Sequence, residues 1–122
     1  MKKLLLIALI LLITNITYSH TLIKNPVISP DGKRILFESG DDIYEGSING
    51  GRAIPITVNP AYDGAAVYSK DGKYIAFSSD RNGLTRKIFI YNIENNTISQ
   101  ITSGRGYDLS LIHIWRCRRY AV

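Results

Sequence analysis

The chain has 122 residues, 45% hydrophobic and 20% charged, with a formal net charge of +5 and one cysteine, Cys117, which excludes a disulfide within the chain. The basic excess belongs to the ends: Lys2, Lys3, Arg116, Arg118 and Arg119 supply it, while residues 20–108 carry 10 Lys and Arg against 10 Asp and Glu. A body of no net charge offers a polyanion no electrostatic footing, so nucleic acid is excluded as a partner.

At the start, Lys2 and Lys3 precede an unbroken apolar run from Leu4 to Ile13, and Thr17 and Ser19 are small residues placed for a cut after Ser19. This order predicts a signal-peptide helix over residues 1–19. The run is too short for a bilayer span of about 20 residues, so the chain meets the membrane only transiently through its leader. The expected location is periplasmic or secreted. No cysteine stands near the cut to take a lipid anchor.

Residues 20–108 are organised by a repeated stretch. Ser29-Pro30-Asp31-Gly32-Lys33-Arg34-Ile35-Leu36-Phe37 returns as Ser69-Lys70-Asp71-Gly72-Lys73-Tyr74-Ile75-Ala76-Phe77. Pro presets φ for a turn, Asp bonds backbone two residues on, and Gly accepts the positive φ that closes the reversal. In the strand that follows, Ile35 and Phe37 share one face with Leu36 opposite, and both faces are apolar. A strand of that kind is expected to be covered on both sides. Val27-Ile28 and Ala65 to Tyr68 lead into the two turns, and Ile43 to Ile48 corresponds to Ile88 to Ile93. Asn49-Gly50-Gly51 and Glu94-Asn95-Asn96 read as hairpin tips. The two units differ in length in one loop, Glu38 to Asp42 against Ser78 to Lys87. Tyr62-Asp63 is echoed by Tyr107-Asp108, so a third unit begins near residue 103.

This turn–strand–loop recurrence, ending in the second copy with Ser78-Ser79-Asp80-Arg81-Asn82-Gly83, resembles the WD-like β-propeller repeats of TolB-type proteins. The resemblance covers roughly residues 24–108. It implies an all-β fold: a partial β-propeller with two four-stranded blades, at about 24–57 and 59–102, and the start of a third. In that light Ser29, Pro30, Asp31, Gly32, Phe37, Ser69, Asp71, Gly72 and Phe77 form a structural repeat motif. The family implies a protein-binding scaffold of the cell envelope, with envelope or secreted proteins as partners; TolB itself meets a peptidoglycan-associated lipoprotein. It also contains propellers that precede prolyl oligopeptidase-like hydrolase domains. A secreted serine peptidase of that kind, with its catalytic domain missing here, is the alternative.

The end of the chain breaks the pattern. Leu109 to Arg119 resembles the in-frame translation of a transposase-type sequencing adapter with TGA read as Trp. It begins where the third unit should continue as the second does with Gly64-Ala65-Ala66. Residues 109–122 are therefore expected to be a non-native tail, carrying with them Trp115, Cys117 and His113.

Catalytic residues, cofactor ligands and metal ligands are all expected to be none. Outside the tail His20 is the sole histidine, and no Gly-x-Ser-x-Gly elbow, His-x-x-x-His pair or phosphate-cradling loop occurs. Asp31 and Asp71 read as turn residues. Asp80 to Gly83 lacks the spaced oxygens of a calcium loop and reads as a plain turn. Asp41-Asp42 reads as a solvated loop, and Arg86-Lys87 as a charged strand edge. Tyr44, Tyr68, Tyr74 and Tyr91 are expected to pack between sheets. Asn95-Asn96-Thr97 fits a glycosylation sequon on a hairpin tip.

Overall fold

The computed structural model describes residues 22–83 and 85–106. The signal-peptide helix, the Tyr107-Asp108 echo and the tail lie outside the described residues. Two antiparallel sheets of four strands follow one another, each ordered as the chain runs. The first holds β1 (Ile23–Ile28), β2 (Arg34–Ser39), β3 (Asp42–Ser47) and β4 (Ile54–Pro55). The second holds β5 (Asp63–Tyr68), β6 (Tyr74–Ser79), β7 (Lys87–Asn92) and β8 (Thr97–Gln100). Among the described residues no helix is long and apolar enough to cross a membrane.

The sheets repeat each other pair by pair. Val27 opposes Leu36 as Val67 opposes Ala76, and Phe37 opposes Tyr44 as Phe77 opposes Phe89. Both inner strands slip register at the same place, between Lys24 and Val27 and between Gly64 and Val67. The slips carry Asn25 at φ 50° and Ala65 at φ 53°, bulge conformations rare for side chains other than Gly. The entering strands thus begin earlier than Val27 and Ala65, because the bulge lets the ladder resume upstream.

The principal core lies between the sheets. Leu36 and Ile43 of the first sheet meet Ala66, Tyr68, Ile75, Phe77 and Phe89 of the second, all buried. Strand β5 runs against β1, β2 and β3. Side chains alternate along a strand, so the first sheet turns its Leu36 face inward and the second its Phe77 face. A second buried cluster, Val67, Ala76 and Ile88, occupies the opposite face of the second sheet. Strand β6 is therefore covered on both sides, as its composition requires. Strand β2 is not: Ile35 and Phe37 are only half-buried, because their face receives no comparable cover.

Candidate functional site at the junction of the sheets

The motif residues gather at one end of the sheets, where β1 turns into β2 and β5 into β6. The Ser29 hydroxyl donates to Asp31 Oδ1 at 2.5 Å and accepts from the Arg34 amide at 2.9 Å, and Asp31 Oδ1 also accepts from the Lys33 amide at 3.0 Å. The second turn has the same bonds, Ser69 to Asp71 at 2.6 Å, Tyr74 to Ser69 at 3.0 Å and Lys73 to Asp71 at 3.0 Å. Gly32 and Gly72 both stand at φ 72°, where a Cβ would be strained. These bonds hold Asp31 and Asp71 below the ordinary carboxylate range, through the serine hydroxyl first and the backbone amide second. Each carboxylate is spent on its own turn. Pro30 is dispensable to the geometry, since Lys70 occupies its place in the second turn. Phe37 and Phe77 lie in the strands beyond, stacked on Tyr44 and Phe89 with ring centroids 5.8 Å apart in both pairs.

The opposite end brings together the β2–β3 and β6–β7 loops and the crossover from β4 to β5. Here the two sheets exchange polar contacts through Glu38, only 4% exposed. Its Oε1 accepts from Asn25 Nδ2 at 2.9 Å and from the Ala65 amide at 2.6 Å, so one carboxylate holds the bulges of both inner strands. The Tyr62 hydroxyl donates to Glu38 Oε2 at 3.4 Å, and the Arg86 guanidinium lies 4.1 Å from the Tyr62 ring centroid. Burial first, and then the charge of Glu38, pushes the Tyr62 hydroxyl upward. Tyr62 also sets the residue at Gly64: a Cβ there would run into the tyrosine hydroxyl.

Beside this junction Asp63 is fully buried. Arg81 Nη2 donates to both its oxygens, at 3.0 and 2.9 Å, and Asn59 Nδ2 donates to Oδ2 at 2.5 Å. The same guanidinium lies over the Phe77 and Phe89 rings, at 5.3 and 4.9 Å. At the motif end the sheets are also in contact: the Tyr68 hydroxyl donates to Glu45 Oε2 at 2.8 Å, and Arg34 lies 5.3 Å over the Tyr68 ring. Burial and the bond to Glu45 raise the Tyr68 hydroxyl far above its ordinary value. Asp63 is paired with Arg81 and Glu45 with Arg34, while Glu38 is satisfied by three neutral donors, which is the chemistry of a rigid joint. Among the described residues no group of three or more His, Cys, Asp and Glu side chains is placed to hold a metal ion.

No family model matches the chain, and no curated protein matches it. Solved structures do. A tricorn protease is 33% identical over 67% of this chain, at TM-score 0.60. TolB from Acinetobacter baumannii is 28% identical over 67%, at TM-score 0.57, and a putative TolB from Agrobacterium tumefaciens is 26% identical over 70%, at 0.60. These residues are two blades of a TolB-like β-propeller. The chain spans 8%, 21% and 32% of the lengths of those three proteins.

Seen as a blade pair, the chain departs from its local reading at several side chains. Lys87 is no strand edge: β7 is paired on both sides, Lys87 is 6% exposed, and its Nζ donates to the Gly106 carbonyl at 2.5 Å. Its neighbour Arg86 is given to Tyr62. The Asp80–Gly83 segment is a turn, closed by the Gly83 amide on the Asp80 carbonyl at 3.0 Å, yet Arg81 within it reaches the propeller core. Asp41 is exposed, whereas Asp42 is half-buried and accepts from the Thr57 hydroxyl at 3.3 Å. Of the four blade tyrosines, Tyr68 packs between the sheets and Tyr91 packs against that core. Tyr74, the first residue of β6, lies at the surface. The joint residues Glu38, Asp63 and Arg81 went unremarked as a site. One signal did point to Asp63, its recurrence with Tyr62 as Tyr107-Asp108 in the third unit.

Proposed function

We propose that this protein is an exported, non-catalytic scaffold of the cell envelope that binds envelope or secreted proteins through its propeller. The observation that supports it is the blade pair shared with two TolB structures. In this reading residues 1–19 are a cleaved leader, residues 20–108 belong to the propeller, and residues 109–122 are a non-native tail. The Glu38 and Asp63 joints fix the crossover end, so its exposed loop residues, Asp41 and Asn82, are presented on a rigid base. Partner contact falls there, and no cofactor takes part.

The test is binding of the full chain to the purified soluble portion of a peptidoglycan-associated lipoprotein, with cell fractionation alongside. The expected result is a periplasmic chain beginning at His20, with binding weakened by Asp41→Arg and left intact by Lys33→Glu at the motif end. A cytosolic chain retaining Met1, or binding indifferent to the crossover end, refutes the proposal.

The tricorn protease match favours a second reading, that the blades belong to a secreted prolyl oligopeptidase-like serine peptidase. Sequencing the gene from its original DNA across the codon for Asp108 separates the two. A Gly-x-Ser-x-Gly elbow followed by Asp and His decides for the peptidase, and further blades alone for the scaffold.

A further inference from the structure

The first blade carries its polarity the wrong way round for a sheet with one face in water. The pairing register puts Ile35, Phe37 and Tyr44 on one face of β2 and β3, with Ile23 and Ile28 of β1 and Pro55 of β4 beside them. Arg34, Glu38 and Glu45 lie on the other face, in contact with the second blade. Among the described strand residues, Asp42 is the one charge on the outer face, at its crossover end, and it already accepts from the Thr57 hydroxyl. An antiparallel sheet in water ordinarily turns its polar side outward, so an apolar outer face marks a contact surface.

The matching face of the second blade shows what such a surface receives. There Tyr68, Ile75, Phe77 and Phe89 lie under the first blade. Polar anchors direct that contact: the Tyr62 and Tyr68 hydroxyls reach Glu38 and Glu45, and Arg34 covers the Tyr68 ring. By register Ile28 stands where Tyr68 does and Ile23 where Asp63 does, and Leu22 precedes Ile23 as Tyr62 precedes Asp63. Neither hydroxyl has a counterpart. A blade offering carboxylates, as the first blade does to the second, would leave them unpaired against this face. What fits is apolar, uncharged at its centre and shaped like a sheet. The same face of a second copy meets all three conditions. Sheets stack face to face through their side chains, and a two-fold axis sets apolar residues against apolar residues with no like charges opposed at the centre.

We infer that two copies of this chain pair through the outer face of the first blade, with Ile28, Phe37 and Tyr44 of each packed against the other. Six residues at about 3.3 Å and four strands at about 4.8 Å give a face of roughly 350 Å² per copy, small for a specific interface, so the pairing is weak and reversible. The inference rests on the blade pair and not on the envelope role.

The experiment is sedimentation velocity of the full chain over about a hundredfold range of concentration. The expected result is an exchange between monomer and dimer that ends at two copies. Ile28→Arg is the deciding variant. Ile28 is 58% exposed, so the new charge is hydrated in the monomer and folding is untouched, whereas the dimer has to bury it. The dissociation constant is expected to rise at least about tenfold. Ile54→Arg is the control, since Ile54 is 56% exposed and, opposite Glu45 in the register, belongs to the other face; the dimer is expected to be unchanged. A monomer at every concentration overturns the inference, as does association that ignores Ile28→Arg. Species growing past two copies overturn it in favour of blades stacked head to tail. Leu9→Arg interrupts the apolar run of the leader. Association lost in that variant and kept in Ile28→Arg assigns the contact to the leader and refutes the face.

Discussion

Removing Glu38 tests whether a buried carboxylate couples the blades. In Glu38→Ala the Ala65 amide loses an acceptor at 2.6 Å and Asn25 Nδ2 one at 2.9 Å, in a place only 4% exposed. Hydrogen bonds to a charged group contribute about 1.5–3 kcal/mol each, and a buried donor left unpaired costs about 1–3 kcal/mol. The bonds share one oxygen, so a full sum would count its desolvation twice; the expected loss is about 3–4 kcal/mol. Hydrogen exchange at the Ala65 amide reads this locally, and 3 kcal/mol corresponds to an acceleration of roughly 150-fold. Glu38→Gln keeps one neutral acceptor and is expected to fall about midway on a logarithmic scale. Amides of β8 serve as controls, since that strand is the outer edge of the second sheet, paired only to β7. An Ala65 amide accelerated by less than about threefold in Glu38→Ala refutes the account, because the carboxylate would then hold nothing.

Asp63→Ala strands the Arg81 guanidinium over two aromatic rings and is expected to cost about 3–5 kcal/mol in urea unfolding, well above Glu45→Ala at the more open ion pair. Gly64→Ala drives a Cβ into Tyr62 and is expected to lower the thermal midpoint, and to lower it much less when introduced into Tyr62→Ala; an equal cost in both backgrounds refutes the clash. Asp31 and Asp71 have lowered carboxyl pKa values, so their stabilisation is complete above the ordinary carboxylate range and is lost as pH falls through the lower folded values. Carboxyl NMR titration should show each returning upward in Ser29→Ala and Ser69→Ala respectively, the serine being the first cause of each shift. Tyr68 has a raised hydroxyl pKa, so its contribution is present below the ordinary tyrosine value and is lost at higher pH. Spectrophotometric titration should find it the last tyrosine to ionise in the folded chain, and Glu45→Gln should bring it down.

What the sequence made legible was local. The turns could be read because Ser, Asp and Gly act within five residues of one another, and both turns close with the same bonds. The sheet order followed from turn chemistry at a regular spacing, which leaves an antiparallel meander little choice. The joints could not be read this way. Nothing near Glu38 distinguishes it from a solvated strand carboxylate; it is buried because the Leu36 face meets the next blade, and 27 residues separate it from Ala65. Arg81 looks like any turn residue until Asp63, 18 positions earlier, is brought beneath it. Lys87 misled for the same reason, since charge alone does not say whether a strand has neighbours on both sides.

The unequal cover of the two aromatic stacks has a consequence for synthesis. Phe77 and Phe89 are 0% and 3% exposed under the first blade, whereas Phe37 and Tyr44 are half-buried and Ile28 beside them is 58% exposed. At about 5–20 residues per second, the second blade leaves the ribosome within roughly ten seconds of the first. From then on Leu36 and Ile43 are out of water. The Phe37 stack is made earliest and has no such neighbour among the described residues. It is therefore the surface that stays wet longest on the nascent chain, and the place where a holdase chaperone would take its grip.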